Sequence, residues 1–180
     1  MKIKDKTAGR IILIGFMGSG KSTVGVSLAE KTGLPLTDTD QWIVNREGAD
    51  ITQIFKEQGE AAFRLMETNC LTQLLQADTG RIISAGGGIP VREENQALIR
   101  QLGTAVYLYT APEEICRRLR EDRSRPLLQG DDPAEKIRQL WEERESDYRR
   151  CADIIIDTGH KEPSVIAGEI IRKVWGESNL

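Results

Sequence analysis

Short runs of β-branched and aliphatic residues alternate along the chain with longer stretches in which apolar residues recur every three or four positions. Runs of the first kind form strands buried on both faces of a parallel sheet, and stretches of the second kind form helices that lay one apolar stripe against it. Arg10 to Ile14, Arg81 to Ser84, Ala105 to Tyr109 and Asp153 to Ile156 read as strands, with Leu34 to Thr37 as a weaker fifth. Helices are expected over Ser22 to Lys31, Gly59 to Gln76, Pro112 to Arg120, Pro133 to Arg150 and Pro163 to Trp175. Phe63, Met66, Cys70 and Leu74 share one face of the second helix, and Val165, Ile166, Ile170 and Val174 share one face of the last. The three leading prolines stand in the first helical turn, where a missing N–H costs nothing. The expected fold is an α/β sandwich around five parallel strands, and with no repeat or linker the chain reads as one domain over 1–180.

Composition narrows the chemistry. A formal charge of -3 over 180 residues gives no global field to gather nucleic acid or an anionic membrane, so neither is an expected partner. Cys70, Cys116 and Cys151 lie far apart and outside any CxxC pair, which argues against a disulfide framework or a zinc site and fits a reducing cytoplasm. His160 is the only histidine, so Ser-His-Asp and zinc-hydrolase mechanisms lose their usual participants. Lys2, Lys4, Lys6 and Arg10 before Ile11 to Met17 imitate a signal peptide, yet the apolar run is short and no cleavage pattern follows it.

The segment GFMGSGKST, Gly15 to Thr23, satisfies GxxxxGK[ST] between a strand and a helix. Its glycines let backbone N–H groups turn toward phosphate oxygens, and the helix N-terminus adds the positive end of its dipole. Gly18, Ser19, Gly20, Lys21, Ser22 and Thr23 therefore read as ATP-binding. Lys21 reaches the β- and γ-phosphates, and the Ser22 hydroxyl is a ligand for Mg2+.

A phosphate cradle alone does not say what is done with the nucleotide. The third strand ends in Gly86, Gly87 and Gly88 rather than in the aspartate that often holds the metal, so a carboxylate must come from elsewhere. Asp38 and Asp40 follow the second strand, and strand alternation is expected to turn both to one side, Asp38 toward Mg2+ and Asp40 toward an acceptor hydroxyl. The glycine run lets backbone approach a ligand closely. Arg64 adjoins Phe63 on one helix, with Glu67 three residues on to fix its guanidinium. Of the five arginines between Arg117 and Arg125, most read as a solvated face, but Arg125 before Pro126 stands in a polar insert and is the candidate for a lid that closes over ATP. Arg144 is followed one turn later by Tyr148.

Taken in order and spacing, the P-loop, Asp-x-Asp, Phe-Arg, Gly-Gly-Gly, Arg-Pro-Leu-Leu and Glu-Arg-x-x-x-Tyr elements resemble the shikimate kinase family over nearly the whole chain. The resemblance implies a P-loop three-layer sandwich of the nucleoside-monophosphate-kinase type, strand order 2-3-1-4-5. It also implies a substrate-binding region at about 38–67, a mobile lid at about 121–132 and ATP-dependent phosphorylation of the shikimate 3-hydroxyl. It assigns Asp40, Arg64, Gly87 and Arg144 to shikimate, with Gly86, Gly88 and Glu67 beside them. Lys21, Ser22 and Asp38 go to ATP and Mg2+, Arg118 and Pro163 to an adenine slot with Lys161 nearby, and Phe55 and Phe63 to the pocket wall. Catalysis falls to Lys21, Asp40 and Arg125, working on small molecules in a monomer. Where the family usually reads Arg-x-Pro-Leu-Tyr, this chain has Arg144-Glu145-Ser146-Asp147-Tyr148, and without the proline Arg144 is expected to approach from a slightly different direction. Gluconate or a nucleoside monophosphate as acceptor, and a nucleotide-dependent binding module, stand as alternatives. The module reading lacks the Asn-Lys-x-Asp motif of a GTP switch.

Overall fold

Ile11, Ile12, Leu13 and Ile14 have no exposed surface, which places β1 (Arg10–Ile14) in the middle of a sheet covered on both faces. The computed structural model describes residues 9–77, 81–120 and 132–176. Around β1 lie β2 (Leu36–Asp38), β3 (Arg81–Ser84), β4 (Thr104–Tyr109) and β5 (Ile154–Asp157), all parallel, in the order β2-β3-β1-β4-β5. Alternation along β1 sorts the core into two layers. Ile12 and Ile14 join Cys70, Leu71 and Leu74 of α3 (Ile51–Gln76), Ile99 and Leu102 of α4 (Glu93–Leu102), and Ile137 and Tyr148 of α6 (Pro133–Cys151). Ile11 and Leu13 join Val24 and Leu28 of α1 (Lys21–Thr32) and Ile166, Ile170 and Ile171 of α7 (Pro163–Trp175). This is the expected three-layer sandwich with the expected strand order.

The elements differ from expectation in places that bear on the site. β2 begins two residues later than Leu34 and keeps only three residues, because the chain turns into α2 (Thr39–Glu47) directly after Asp38. That helix has no long apolar stripe to announce it. The helical stretch expected from Gly59 extends back to Ile51, broken at Gly59 where φ 82 and ψ 169 leave the helical region. Ile43, Ile54 and Phe63 then form a small third core between α2 and α3. Helix α4 was not expected either; its buried side includes Asn95 and Gln96, whose amides donate to Ile89 O and Pro90 O, so polar residues occupy positions where a hydrophobic pattern would show. The helix expected from Pro112 to Arg120 is α5 (Pro112–Arg118), two residues shorter. Among the described residues no helix is long and apolar enough to cross a membrane.

Parallel strands put their C-terminal ends on one edge, where ligands bind in open α/β sheets. One buried bond ties two pieces of that edge together: Gly86 N donates to Thr39 Oγ1 at 2.8 Å, and Thr39 is fully buried at the start of α2. Thr39→Val keeps the shape and removes the acceptor, stranding a buried N–H at a cost of about 1–3 kcal/mol. Urea unfolding should show the midpoint falling in Thr39→Val and staying near wild type in Thr39→Ser. Equal midpoints for all three proteins would contradict this role.

Candidate active site

The turn after β1 is built for an anion. Gly18 (φ 75) and Gly20 (φ 89) adopt left-handed backbone that side chains disfavour, and Gly20 caps α1 so that the helix N-terminus opens onto the turn. A Cβ at Gly15 would lie 2.8 Å from Leu108 O, so the turn also hugs β4. Lys21 is largely buried, and its ammonium donates to Gly15 O and Phe16 O at 2.9 Å each, which holds the charge across the mouth of the turn. A groove of about 520 Å³ runs along it. Gly18 to Thr23 line one part, Arg118, Lys161 and Pro163 another, and Asp38, Asp40, Gly86 and Gly87 a third, so the sequence-predicted nucleotide residues in the described region meet in one cleft.

Arg118 bridges elements here. Its guanidinium donates to Glu114 Oε1 at 2.8 Å, to Gly18 O at 3.2 Å and to Thr158 O at 3.4 Å, joining α5 to the phosphate turn and to the end of β5. Arg117 and Arg118 together hold the Glu114 carboxyl down at about 2. Arg117 itself points to solvent, as a charged face should. Lys161 pairs with Glu169 at 3.0 Å.

Ser22 Oγ donates to Asp38 Oδ2 at 2.8 Å, while Asp38 Oδ1 accepts from the backbone N–H of Asp40 and Gln41. Asp38 therefore does two things at once: it caps α2 and presents an oxygen beside the P-loop serine. These hard oxygen donors suit Mg2+, which takes one or two protein oxygens along with water and phosphate. Ser84, at the end of β3, stands 3.4 Å from Ser22 Oγ, a neighbour that sequence reasoning passed over because it looked for a carboxylate there. Strand alternation does not place Asp40: β2 has ended, and Asp40 lies in the first turn of α2. Both carboxylates line the groove all the same, through a cap and a helical turn rather than a pleat.

At Gly86 to Gly88 the missing side chains are filled by others. A Cβ on Gly86 would lie 2.6 Å from Asp40 Oδ1 and 2.8 Å from Glu67 Oε1, and one on Gly88 would overlap the Arg64 guanidinium. Arg64 bonds Glu67 Oε2 at 2.8 Å and Glu60 Oε1 at 2.7 Å, and its Cζ lies 5.7 Å from the Phe63 ring centre. The expected Arg64–Glu67 pair is present, and Glu60 adds a second arm. Glu67 is 1% exposed; burial pushes its carboxyl up to about 7, with Asp40 adding to the rise and Arg64 and Arg144 opposing it. Tyr148 donates to Gly87 O at 2.7 Å, and the buried Arg144 bonds the Tyr148 side chain. Burial raises the phenol, so Tyr148 stays a neutral donor. Segment 144–148 continues α6 without a break, and Asp147 meets Gln96 of α4 at 3.4 Å. Phe63 is buried against Phe55, ring centres 4.9 Å apart, so the two rings back Arg64 from the small core. Arg125 and the segment 121–131 lie outside the described residues.

The sequence model described as "Shikimate kinase" matches residues 17–175. A shikimate kinase of Chromobacterium violaceum is 39% identical over 171 residues, 95% of this chain and 92% of the relative. One of Chromohalobacter salexigens is 42% identical over 163 residues, 91% and 90% respectively. Among solved structures, the shikimate kinase of Acinetobacter baumannii in complex with shikimate superposes with TM-score 0.89 at 37% identity, covering 94% of each chain. A gluconokinase from Sinorhizobium meliloti, 16% identical over 97% of this chain and 99% of its own, shares the fold with TM-score 0.57.

The cap role of Asp38 separates from its place in the groove. Asp38→Ala should lose about 1 kcal/mol of stability through the unsatisfied first turn of α2, and Asp38→Asn, which still accepts from the backbone, should stay close to wild type. Chemical denaturation of the two variants tests this; an Asn variant as weak as the Ala variant would show that the cap is not what Asp38 contributes.

Proposed function

The chain belongs to the shikimate kinase family, a kinase family whose members phosphorylate shikimate with ATP in aromatic biosynthesis, and on that footing we propose how the cleft performs this transfer. The observation that carries the reading is the meeting of the Arg64 guanidinium and the Asp40 carboxylate over the glycine run beside the phosphate turn, with Arg144 bonded to the Tyr148 that holds the Gly87 carbonyl. A planar guanidinium matches a carboxylate in a way an ammonium does not, so Arg64 and Arg144 take the shikimate carboxylate. Asp40 then faces the ring hydroxyls from α2. Gly86 to Gly88 let the ring lie against backbone, with Phe55 and Phe63 stiffening Arg64 from behind.

ATP lies with its phosphates on Gly18 to Thr23 and its adenine between Arg118 and Pro163, with Lys161 alongside. Lys21 leaves the carbonyls it holds and follows the β- and γ-phosphate oxygens, where charge develops. Ser22 and Asp38 would be the protein ligands for Mg2+, whose charge would offset that of the phosphates. Asp40 orients the shikimate 3-hydroxyl and accepts its proton as the hydroxyl oxygen bonds to the γ-phosphorus and the bond from that phosphorus to the β-phosphate oxygen breaks. ADP leaves with the electron pair. Phosphoryl transfer depends chiefly on such positioning and charge stabilisation. Every group in this account comes from one chain, and we assign a monomer working in the cytoplasm.

Coupled ADP release with ATP, Mg2+ and shikimate, gluconate, AMP or CMP in turn tests the acceptor. Shikimate alone should give rapid release. Asp40→Asn should lower kcat by about 10²–10⁴-fold, the usual worth of a positioned acid or base, and Arg64→Lys should raise the KM for shikimate while leaving that for ATP near wild type. Rapid release only with gluconate or a monophosphate would overturn the acceptor, and no acceptor-dependent release at all would favour a nucleotide-dependent binding module.

A further inference from the structure

We infer that binding of an acceptor carboxylate at Arg64 is coupled to uptake of a proton by Glu67, so that this buried side chain makes acceptor affinity depend on pH. The inference rests on the proposed acceptor site and concerns a group that site does not otherwise need in two charge states. Glu67 is 1% exposed, and the carboxylate of Asp40 shares the space over Gly86 with it: Asp40 Oδ1 and Glu67 Oε1 lie 2.6 Å and 2.8 Å from the point where a Gly86 Cβ would stand. Two carboxylates thus face one small space, with Glu67 withdrawn from water and Asp40 opening onto the groove, an arrangement in which the buried one is easily forced neutral.

Every charged neighbour enters the balance. On α3, Arg64 bonds Glu67 and Glu60, and Cys70 lies one turn on with its thiol pushed up to about 12, which keeps it uncharged. From α2 comes Asp40, and from α6 come Arg144 and the neutral Tyr148. Glu94 of α4 reaches Thr68 instead, and Glu60, half exposed, is screened by water. Inside the pocket, Arg64 and Arg144 therefore offset Asp40 and Glu67. A ligand carboxylate adds a further negative charge to this balanced set and competes with Glu67 for the Nη1 edge of Arg64. Arg64 is the main opposing influence on an otherwise raised carboxyl, so diverting it to the ligand raises Glu67 further. A proton from solvent then forms an O–H bond on the Glu67 carboxylate, charge balance is restored, and Arg64 is released to the acceptor.

The sign follows from the value of about 7 in the free protein. Below it Glu67 is protonated with or without ligand, and affinity is flat. Above it the ligand must bring a proton with it, and affinity falls by up to about tenfold per pH unit until the higher value of the bound state is reached.

Isothermal titration of shikimate into the full-length protein, near pH 8 in HEPES and in Tris, reads the protons from the difference in heat between buffers. Wild type should take up a fraction approaching one proton, and its Kd should weaken from about pH 7 upward. Glu67→Gln, neutral at every pH and of the same shape, should take up none, and its Kd should be flat across the same range. Absence of uptake by wild type, or equal uptake by Glu67→Gln, overturns the coupling. Failure of wild type to bind shikimate in either buffer overturns the acceptor assignment and the coupling with it. Should Glu67→Gln not fold, the buffer and pH dependence of wild type still decides the matter.

Discussion

For three residues after Ala85 the chain has no side chains, and the acceptor half of the cleft is assembled against that gap. Asp40 and Glu67 close on Gly86, Arg64 closes on Gly88, and the backbone between them is gripped from both sides, by Thr39 through the Gly86 N–H and by Tyr148 through the Gly87 carbonyl. None of these glycines falls in the left-handed region; Gly88 has φ -88 and ψ -14. What the position demands is space, not conformational freedom. Contrast the phosphate turn, where Gly18 and Gly20 are needed for their positive φ. Two glycine-rich segments at one sheet edge thus serve two different physical ends: one bends backbone around phosphate, and the other lets charged side chains from α2 and α3 meet over bare backbone.

That meeting concentrates charge out of water. Arg64, Arg144, Asp40 and Glu67 interact strongly because burial lowers the local dielectric, and the same burial penalises any imbalance among them. The helices are therefore fixed by more than apolar contact. Asp38 caps α2 so that Asp40 comes next to the groove, Phe63 braces Arg64, and Tyr148 orders Arg144 against the glycine carbonyl. A site that binds an anionic acceptor beside an even more anionic nucleotide needs cations at both ends, and Lys21 on the turn and the paired arginines on α3 and α6 supply them.

The sandwich was legible because β1, β3 and β4 are short, largely buried apolar runs of the kind a doubly covered strand tolerates, whereas the strand order came with the family resemblance. The phosphate turn was legible because its spacing is set by backbone geometry. Asp40, Arg64, Glu67 and Arg144 were found in sequence, yet the manner of their meeting was not: β2 stops at Asp38, and the capping turn, not pleat alternation, delivers Asp40. Helix α4 stayed hidden because Asn95 and Gln96 spend their amides on carbonyls of the preceding turn, so its buried face is partly polar. Ser84 and Thr39 gave no sign for a related reason. A lone hydroxyl becomes informative only when the fold sets it beside Ser22 or under Gly86.

The space over the glycine run holds the acceptor arginine in place. Gly88→Ala tests it directly, since alanine adopts the same backbone at no cost while its methyl must occupy the position of the Arg64 guanidinium. Calorimetric titration of this variant with shikimate and, separately, with ATP and Mg2+ should give shikimate binding weakened by at least about tenfold, the loss expected when one charge-assisted contact of about 1.5–3 kcal/mol is displaced, with nucleotide binding unchanged. Wild-type affinity for shikimate in a folded Gly88→Ala protein would contradict the account.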